Sequence, residues 1–471
     1  MDLGRHKDKM SRVLLINPNY RKVYKYVSEE ATMIEPPLGL TYIAAVLRQN
    51  NIEVKILDAA ALNLENSQIK RYTEKFQPDV IGITASTNTI VLAYEIAEIV
   101  KKPGIRVVVG GPHTSILPEQ TLKECKSIDI AVKGEGEYVI LEIAQGKELS
   151  EIDGITYRKD NEIIKNKDRG LIENLDELPF PARDLLPLDK YESVGIRRYP
   201  FATMITSRGC PYSCNFCVNY TVLGKRFRYR SVENIMREID ELVNKYHVRE
   251  IDLIDDNFTV IPERAEKICD ELIKRKYDLI WKLGNGIRAD RVNERLLMKM
   301  KKSGCYLVAF GIESGNEEIL KRINKGESLQ QIIQAIRWAK KYGMETEGFF
   351  ILGNLGDNEK TMKQTIDFAK KLDLDIAQFQ VFIPIPGSSY EQIIRKEGKI
   401  FAKSWKDYNA FGKPIFQHGK LTPELMEKMQ KKAYKEYYFR PRMIMKKVLE
   451  VRTPKQFIAY ARAALGLVKF Q

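Results

Sequence analysis

Three cysteines, Cys210, Cys214 and Cys217, lie close together at the spacing C-x3-C-x2-C. They follow an apolar run at 202–206, and Gly209 and Pro211 disfavour a regular helix there, so we expect a loop that leaves a strand. Three thiolates from one loop form a soft ligand set that suits iron or zinc. An iron–sulfur cube normally takes four cysteines, so three would leave one iron open to bind another molecule.

A zinc loop is the alternative interpretation of these cysteines. Structural zinc is closed by four ligands, usually with a second Cys or His pair, and no such pair follows here. Cys269 and Cys305 stand alone in apolar contexts, and His247 is single. The ligand count therefore favours an iron–sulfur cluster, and the position of the loop after a strand adds to that interpretation.

Apolar strands alternate with amphipathic helices from residue 12 to about 145, which predicts a parallel sheet covered on both faces. Five strands suit a doubly wound sheet of flavodoxin type, which binds ligands at the carboxyl ends of its strands. The predicted strands are 13–16, 54–57, 80–84, 107–109 and 128–132, and the predicted helices are 38–49, 67–75, 89–100, 115–124 and 137–144.

Small and hydroxyl residues follow these predicted strands. Small residues let a bulky ligand approach the backbone, and short hydroxyl side chains and free N–H groups can bond its periphery. The candidate ligand-binding residues are Asn17, Thr84, Ser86, Gly110, Gly111, His113, Glu135 and Gly136. No G-x-G-x-x-G follows the first strand, which argues against a dinucleotide.

A second alternation of strands and helices begins near residue 200. Six such units predict a partial TIM-like barrel, whose active site would lie at the carboxyl ends of its strands. The predicted strands are 202–206, 250–254, 280–283, 307–310, 348–352 and 377–382, and the predicted helices are 232–246, 262–276, 293–302, 329–342 and 360–371. The cysteine loop follows the first of these strands, and polar residues follow the others.

On these motifs the chain resembles the radical S-adenosylmethionine (SAM) enzymes that carry a cobalamin-binding domain, the class B methyltransferase-like family. The family's cluster motif has this cysteine spacing with an aromatic residue, here Phe216, before the last cysteine. This resemblance covers about residues 200 to 390. The stretches 36–40, 109–113 and 134–137 resemble the family's cobalamin domain, over about residues 12 to 145.

The resemblance implies three cofactors: a [4Fe–4S] cluster on the three cysteines, SAM chelated by the open iron, and cobalamin. It assigns the SAM amino group to the end of the second barrel strand, where Asp255 or Asp256 stands in place of the common G-G-E motif. It assigns the ribose hydroxyls to Glu313. Arg288 would bind the SAM carboxylate or the substrate, and a structural ion pair with Asp290 is the alternative.

One departure from the family concerns cobalt. Classical cobalamin proteins carry D-x-H-x-x-G after the first strand, and here that position reads Asn-Pro-Asn-Tyr-Arg at 17–21. We therefore expect no His from this loop beneath the corrin. His113 could approach the corrin, but we expect it to pack on its turn and to bond a backbone group or a corrin side chain.

The implied reaction is reductive cleavage of SAM to a 5′-deoxyadenosyl radical, followed by methylation of an unactivated carbon through methylcobalamin. The alternative enzyme runs a non-methylating radical reaction, such as a cyclisation or lipid carbon–carbon coupling. A corrin and cluster sensor without catalysis is a further alternative. The implied partners are an electron donor of flavodoxin or ferredoxin type and a small-molecule, lipid or tetrapyrrole-like substrate.

The charge of the chain is concentrated near its end. The net charge is +14, and residues 425–471 carry 12 Lys and Arg against three Glu. Basic amphipathic patterns at 428–449 and 456–470 suit either helices packed on the barrel or contact with an anionic membrane. We expect packing for the first stretch, a cytoplasmic protein that could touch the inner membrane surface, and no nucleic-acid partner, since no recognition motif accompanies the charge.

The sequence thus predicts four segments: a cobalamin-binding domain at 12–148, a linker at 149–199, a radical SAM barrel at 200–395 and a basic helical extension at 396–471. Within the linker, a hairpin is expected at 155–158 and 162–165 around Asp160 and Asn161. A proline-stiffened connector at 175–183 should pack across both domains.

Overall fold

A computed structural model describes residues 11–23, 34–191 and 195–450. Its first sheet has seven strands in the order β2-β1-β3-β4-β5-β6-β7, of which β1 to β5 run parallel. The strands are β1 (Arg12–Asn17), β2 (Glu53–Asp58), β3 (Val80–Thr84), β4 (Arg106–Gly110), β5 (Ile130–Val132), β6 (Ile155–Lys159) and β7 (Glu162–Lys165). The order of the parallel strands is that of the predicted flavodoxin-like sheet.

Helices cover both faces of this sheet. They are α1 (Leu38–Gln49), α2 (Asn66–Phe76), α3 (Ile90–Val100), α4 (Pro112–Ile116), α5 (Pro118–Glu124) and α6 (Glu137–Ala144). One apolar core lies under α1 and α6, and the other lies under α2, α3 and α5. The helix predicted at 115–124 is divided in two, because Pro118 has no N–H to continue a helix and disfavours helical backbone in the preceding residue.

The predicted hairpin is present, but it belongs to the first sheet. Strand β6 pairs antiparallel with β5, and β7 pairs antiparallel with β6. The hairpin therefore covers the N–H and C=O groups that β5 would otherwise leave at an open edge. The segment predicted as a linker from residue 149 thus begins with two strands of the first domain.

The rest of the connector packs across both domains, as predicted. Buried residues of the connector, among them Leu178, Ala182 and Tyr191, share one apolar core with Phe201 of the second sheet. In addition, Arg183 donates to the carbonyl of Thr203 at 2.9 Å. The two domains are therefore joined by a continuous apolar core as well as by the chain.

The second sheet has six parallel strands in the order β15-β14-β13-β12-β11-β8. The strands of this half are β8 (Phe201–Met204), β9 (Ser207–Arg208), β10 (Arg228–Tyr229), β11 (Glu250–Leu253), β12 (Ile280–Ile287), β13 (Cys305–Glu313), β14 (Glu345–Leu352), β15 (Ile376–Val381), β16 (Lys399–Ile400) and β17 (Phe416–Gln417). In the described part of the chain, no further strand pairs with β8 or β15, so the sheet stays open, as in the predicted partial barrel.

The helices of this half follow the strands in turn. They are α7 (Asn219–Val222), α8 (Val232–Asn244), α9 (Pro262–Arg275), α10 (Glu294–Lys302), α11 (Glu317–Arg322), α12 (Leu329–Lys341), α13 (Glu359–Leu372), α14 (Ser389–Glu397), α15 (Pro423–Tyr438) and α16 (Pro441–Glu450). They bury one large core against the outer face of the sheet. Pro262 opens α9, where its missing N–H costs nothing.

The first basic stretch of the tail packs on the barrel. The hydroxyl of Tyr437 bonds the carbonyl of Leu374 at 2.5 Å, and Tyr438 bonds both backbone groups of Ala377. Helix α15 thus covers β15 on the outside of the sheet, and the predicted continuous helix is broken at Pro441. The stretch 456–470 lies outside the described residues, within which no helix is long and apolar enough to span a bilayer.

Candidate active site

The cysteine loop has a two-stranded neck. Strands β9 and β10 pair antiparallel on either side of the loop, with Arg208 opposite Arg228. Gly209 follows with φ +84°, and a Cβ at this position would collide with the carbonyl oxygen of Arg226. This position therefore needs glycine for both its backbone conformation and its space.

Backbone contacts tie the loop to other parts of the barrel. Asn215 donates its N–H to the carbonyl of Ile323 at 3.0 Å, and the Asn324 side chain donates to the carbonyl of Ser213 at 2.9 Å. The N–H of Tyr390, at the start of α14, bonds the carbonyl of Asn215 at 3.2 Å. The loop that carries the cysteines is therefore fixed before any metal is added.

The three thiols are free and partly buried on this loop. Burial raises the pKa of each of them, that of Cys217 to about 11. Its sulfur accepts the N–H of Asn219 at 3.4 Å. In the described part of the chain, no three His, Cys, Asp or Glu side chains are gathered closely enough for a single metal ion.

This environment fits an iron–sulfur cluster. The ligand set is three thiols on one loop, which are soft ligands for iron. The cations of Lys325 and Arg288 lower the pKa of Cys210 and Cys214 against the effect of burial. A backbone N–H to a ligating sulfur is one of the hydrogen bonds by which proteins tune such clusters. Phe216 packs against the barrel core beside the loop.

Asp255 holds the start of the loop. Its carboxylate accepts the N–H of Thr206 at 2.6 Å and the hydroxyls of Thr206 and Ser207. The side chain is buried. Both of its oxygens are therefore engaged in positioning the strand that leads to the cysteines.

Asp256 lies closer to the thiols and is only partly buried. It accepts the N–H of Gly209 at 2.8 Å. Burial raises its pKa, and its charge in turn raises the pKa of Cys210 and Cys217. The sequence left open whether Asp255 or Asp256 contacts the SAM amino group. Asp256 is the more accessible of the two.

Arg288 forms an ion pair with Asp290, which the sequence offered as the alternative to a ligand contact. It bonds Asp290 through Nε at 2.9 Å and through Nη2 at 3.1 Å, and its guanidinium stacks 3.7 Å from the ring centre of Tyr212 on the cysteine loop. Its Nη1 is buried and has no hydrogen-bond partner among the described residues. One donor of Arg288 is thus left for a bound anion next to the loop, and the two interpretations are compatible.

Glu313 has an unusual backbone and a buried partner. Its φ is +64°, in the left-handed region that non-glycine residues rarely adopt. Its carboxylate bonds Lys325 at 3.0 Å, and Lys325 also lies 3.4 Å from Glu327. Lys325 is among the cations that lower the pKa of Cys214. No local sequence pattern singles out Lys325, because its role depends on neighbours from other elements.

The predicted residues at the strand ends of the first sheet lie at one edge. Thr84 is paired with Gly110 across β3 and β4. The hydroxyl of Ser86 bonds Asn88 and Thr89 in the turn before α3. Gly111 has φ +110°, and a Cβ there would lie 2.6 Å from the carbonyl of Ala85. This edge therefore has a compact backbone with few projecting side chains, which suits a broad flat ligand.

His113 packs on the turn, as expected. It is fully buried, its Nδ1 lies 3.4 Å from the hydroxyl of Thr87, and its ring meets Trp405 edge-on at 4.9 Å. Burial lowers its pKa to about 4. Within the described part of the chain its Nε2 has no hydrogen-bond partner, so this nitrogen could bond a ligand.

The first residues after β1, as far as residue 23, are directed inward. Asn17 bonds Asp58 at 3.0 Å, Asn19 bonds Asn63 at 3.0 Å, and Arg21 bonds the carbonyl of Ala60 at 2.8 Å. These three side chains thus bind the end of β2 and the connection after it. A corrin resting on this edge would find no His from the loop, in agreement with the motif that the sequence lacks.

Glu135 and Gly136 lie at the domain interface. The carboxylate of Glu135 accepts from Arg208 at 2.7 Å, from Arg228 at 2.8 Å and from the N–H of Ile172 at 2.7 Å. Gly136 precedes α6 against Ile43. The sequence suggested a corrin contact for Glu135; in the structure its carboxylate binds the neck of the cysteine loop.

Charged side chains in the second sheet also point away from the outer core, and the sequence did not single them out. Lys282 and Asp252, on neighbouring strands, form a buried ion pair at 3.0 Å. Glu347 accepts from Gln378 at 2.6 Å. The charges of Asp252 and Lys282 also act on the pKa of Glu35, which burial raises. The inner side of the partial barrel is therefore polar.

The two domains match known families. Residues 204–369 match the Radical SAM superfamily, and residues 24–144 match the B12 binding domain. An uncharacterized methyltransferase of Pyrococcus horikoshii is 38% identical over 448 residues, covering 94% of this chain and 95% of its own length. An anaerobic magnesium-protoporphyrin IX monomethyl ester cyclase of Rubrivivax gelatinosus is 29% identical over 448 residues, covering 91% of this chain and 79% of its own.

A solved structure has the same fold. It is that of the cobalamin-dependent S-adenosylmethionine radical enzyme OxsB with aqua-cobalamin and S-adenosylmethionine bound, with a TM-score of 0.76 and 19% identity, covering 98% of this chain and 72% of that one. The chain belongs to the radical SAM enzymes with a B12-binding domain. Its cofactors are a [4Fe–4S] cluster, SAM and cobalamin.

Proposed function

We propose that this enzyme is a cobalamin-dependent radical SAM methyltransferase that methylates a carbon atom of a small molecule. The observation that carries the proposal is the meeting of the two ligand-binding edges. Ile116 of α4, at the strand ends of the first sheet, lies against Gly387 of the barrel, where a Cβ would be only 2.8 Å away. Helix α4 also packs on α7, just after the cysteines.

Within this arrangement, Cys210, Cys214 and Cys217 would hold the cluster, and the strand-end residues of the first sheet would hold the corrin. When bound, the reduced cluster supplies the electron that cleaves SAM, and cobalamin supplies the methyl group. The protein holds both edges together and keeps water away from them.

Three groups around the cysteine loop are suited to SAM. Arg288 has a buried donor with no partner in the described structure, which suits a carboxylate, and Asp256 presents a carboxylate to an ammonium group. The Glu313–Lys325 pair would border the ribose. All three follow the carboxyl ends of barrel strands, where barrel enzymes bind their substrates.

The substrate would enter the polar inner side of the barrel. Among the residues that the structure describes, two buried oxygens there have no hydrogen-bond partner, Oδ1 of Asp252 and Oγ1 of Thr203, and these residues are paired across β11 and β8. Buried polar atoms without partners are costly. A polar substrate group or a bound water would satisfy them.

A non-methylating radical reaction is the second candidate function. The similarity to the Rubrivivax cyclase over 91% of this chain favours it. A cyclisation of a tetrapyrrole-like substrate would use the same cluster edge and the same inner wall of the barrel. It differs from methylation in the fate of the SAM methyl group.

We further propose the partners and the domain limits. The electron donor is a small flavodoxin or ferredoxin, because the cluster needs single electrons from outside. We extend the first domain through β7, to Lys165, and keep the barrel at 200–395 and the basic extension from 396. Lys428 and Glu436 of that extension pair with Glu359 and Lys370 of α13, so we assign any membrane contact to the residues beyond 450.

The test uses protein reconstituted anaerobically with iron, sulfide and cobalamin, and SAM labelled in its methyl group. We expect 5′-deoxyadenosine on reduction, and label that moves to cobalamin and, with a substrate, to product. A label found only in methionine would contradict the methyltransferase and favour the cyclisation. The variant C214A is the control, and it should neither release 5′-deoxyadenosine nor transfer the label.

A further inference from the structure

The neck of the cysteine loop contains two adjacent positive charges. Arg208 and Arg228 stand directly opposite each other in the β9–β10 pair, and their side chains are only 8% and 1% exposed. Like charges that face each other across two strands destabilise the pair, and buried charges without partners cost more still. The neck cannot form in this way unless carboxylates are brought to it.

The required carboxylates come from the other domain. Glu135 accepts from both arginines, at 2.7 Å from Arg208 and 2.8 Å from Arg228, and Glu137 accepts from Arg208 at 2.6 Å. In the described part of the chain, all salt bridges of the two arginines are made with the first domain. The neck therefore becomes neutral only when that domain is docked.

We propose that Arg208 is a positioning residue, which together with Glu135, Glu137 and Arg228 fixes the cysteine loop relative to the cobalamin edge of the first domain. We call these four residues the neck cluster. The inference rests on the proposed function, since it concerns the relative placement of the two cofactors that function requires. It assigns a role in the barrel, rather than in their own domain, to the carboxylates of Glu135 and Glu137.

The shape of the guanidinium explains why arginine stands at 208. Its Nη1 donates to Glu135 and its Nη2 to Glu137, a two-pronged geometry that the single ammonium of lysine does not reproduce. The guanidinium also lies 5.2 Å from the ring centre of Tyr42 on α1. Arg208 is thus held by three residues of the first domain, and two positions later the chain reaches Cys210.

The position of the first domain relative to the loop also depends on α6. Glu137 is the first residue of this helix, and Gly136 precedes it. A carboxylate at a helix N-terminus is stabilised by the helix dipole. The orientation of Glu137 is therefore set by the fold of the first domain. Through its salt bridge with Glu137, Arg208 aligns the cysteine loop with that domain.

The decisive variant is the charge-balanced double replacement R208Q/E137Q. It removes one cation and one anion, leaves the Arg228–Glu135 pair intact, and should therefore fold. A second variant, R208K, keeps the charge but loses the fork. The control is R275K, which alters an exposed ion pair with Asp240 on the surface of the barrel domain.

The first measurement is the spin–spin interaction between the reduced cluster and cob(II)alamin in reconstituted protein, followed by electron paramagnetic resonance. We expect one well-defined interaction in the wild type and in R275K, and its loss to a broad distribution in R208Q/E137Q and R208K. Iron and cobalt contents should remain those of the wild type. An unchanged interaction in both neck variants would overturn the proposal.

The second measurement is how consumed SAM is divided between products. In the neck variants, release of 5′-deoxyadenosine should persist, while label transferred to cobalamin falls by about 10- to 100-fold, as expected when reacting groups lose alignment by about 1 Å. Equal losses of both products would indicate a merely structural role and contradict the proposal. A wild type that transfers no label would instead count against the proposed methyltransferase, so the two failures are distinguishable.

Discussion

Burial determines what the individual side chains around the cysteines can do. Asp255 has the residue type of a ligand contact, but the backbone and hydroxyl groups of the strand before the loop occupy both of its oxygens. Arg288 has a salt bridge and still keeps a buried donor that no described residue accepts. At this scale, the unpaired atoms are better guides to ligand binding than the residue types.

The cysteines give the most direct prediction at the residue scale. Replacing Cys210, Cys214 or Cys217 by alanine removes one of three ligands, so we expect the reconstituted protein to lose most of its roughly four irons per chain. Iron and sulfide assays, with the visible spectrum, measure this loss.

The matched control for these variants is C269A. It removes a thiol of α9 that is buried in the barrel core, away from the cysteine loop. It should keep the iron content of the wild type. Zinc bound in place of iron, lost in the same three variants, would contradict the cluster and restore the zinc loop.

His113 predicts a pH dependence of stability. Burial lowers its pKa from 6.5 to about 4. Between these two pH values the imidazole is protonated in the unfolded chain and neutral in the folded chain. Stability should therefore be complete above pH 6.5 and be lost as pH falls toward 4, by up to about 3 kcal/mol. The variant H113N should lack this loss in urea unfolding of the apoprotein between pH 7 and pH 4.

The control for this pH dependence is H247N. His247 is exposed, and its φ of +54° is tolerated by asparagine. This variant should keep the wild-type slope between pH 6.5 and 4. If H113N kept the slope as well, another group would have to be responsible for it.

At the scale of elements, the ends of the barrel strands are shaped by the space that neighbouring residues leave. Strand β13 ends in Glu313 in a left-handed conformation, with an irregular register to β14 at Gly311 and Glu313. A conformation of this kind is sustained only by surrounding contacts. Here those contacts are the buried ion pair with Lys325 and the absence of a side chain at Gly311.

Gly311 provides the prediction at this scale. A Cβ at Gly311 would lie 2.7 Å from Glu313 Oε1 and 3.0 Å from Lys325 Nζ. The variant G311A should displace these two side-chain ends and cost about 1–3 kcal/mol, as expected when a methyl group is added to a packed site. Urea unfolding of the apoprotein measures this loss.

A helical glycine supplies the control for G311A. Gly39 lies in α1, and a Cβ there would meet no atom within 4 Å. The variant G39A should be neutral or stabilising by about 0.5–1 kcal/mol, because alanine has the higher helix propensity. Destabilisation of similar size in both variants would refute the explanation from the ion pair.

At the scale of the whole molecule, the chain returns to its first domain after completing the barrel. Trp405 follows β16, and its indole N–H bonds Glu124 of α5 at 2.7 Å, while Lys406 lies 3.2 Å from Glu95 of α3. Together with the connector, the neck cluster and the contacts of α4 with the barrel, this contact links the two domains. The two cofactor edges are thus held in one structural unit.

The variant W405A tests this coupling. It removes the ring contact with His113 and the bond to Glu124, and should cost about 2 kcal/mol, roughly half the cost of truncating a fully buried Trp. We expect scanning calorimetry to show one transition for the wild type and a separate, earlier transition of the first domain in W405A. W338A, within the barrel, should lower the transition temperature without dividing it. An undivided W405A profile would show that Trp405 does not couple the domains.

The sequence alone predicted most of the elements and the two edges at which we expect ligands to bind. Hydrophobic periodicity, Pro and Gly mark the strands and helices locally, so α1 and α6 begin and end where the pattern placed them, and the cysteine spacing is a local feature. The cysteine motif and the strand-end glycines could be found because each needs only a few consecutive residues. The family followed from the same short stretches.

The tertiary structure alone decided which polar residues meet. Arg208 and Glu137 are 71 residues apart in the chain, and Trp405 and Glu124 are 281 apart; no local pattern brings such pairs together. The same applies to the hairpin, which joined the first sheet because an open strand edge was available, and to Lys325. Burial and pairing are properties of the packed chain, so the roles of Glu135 and Asp255 could be determined only after folding.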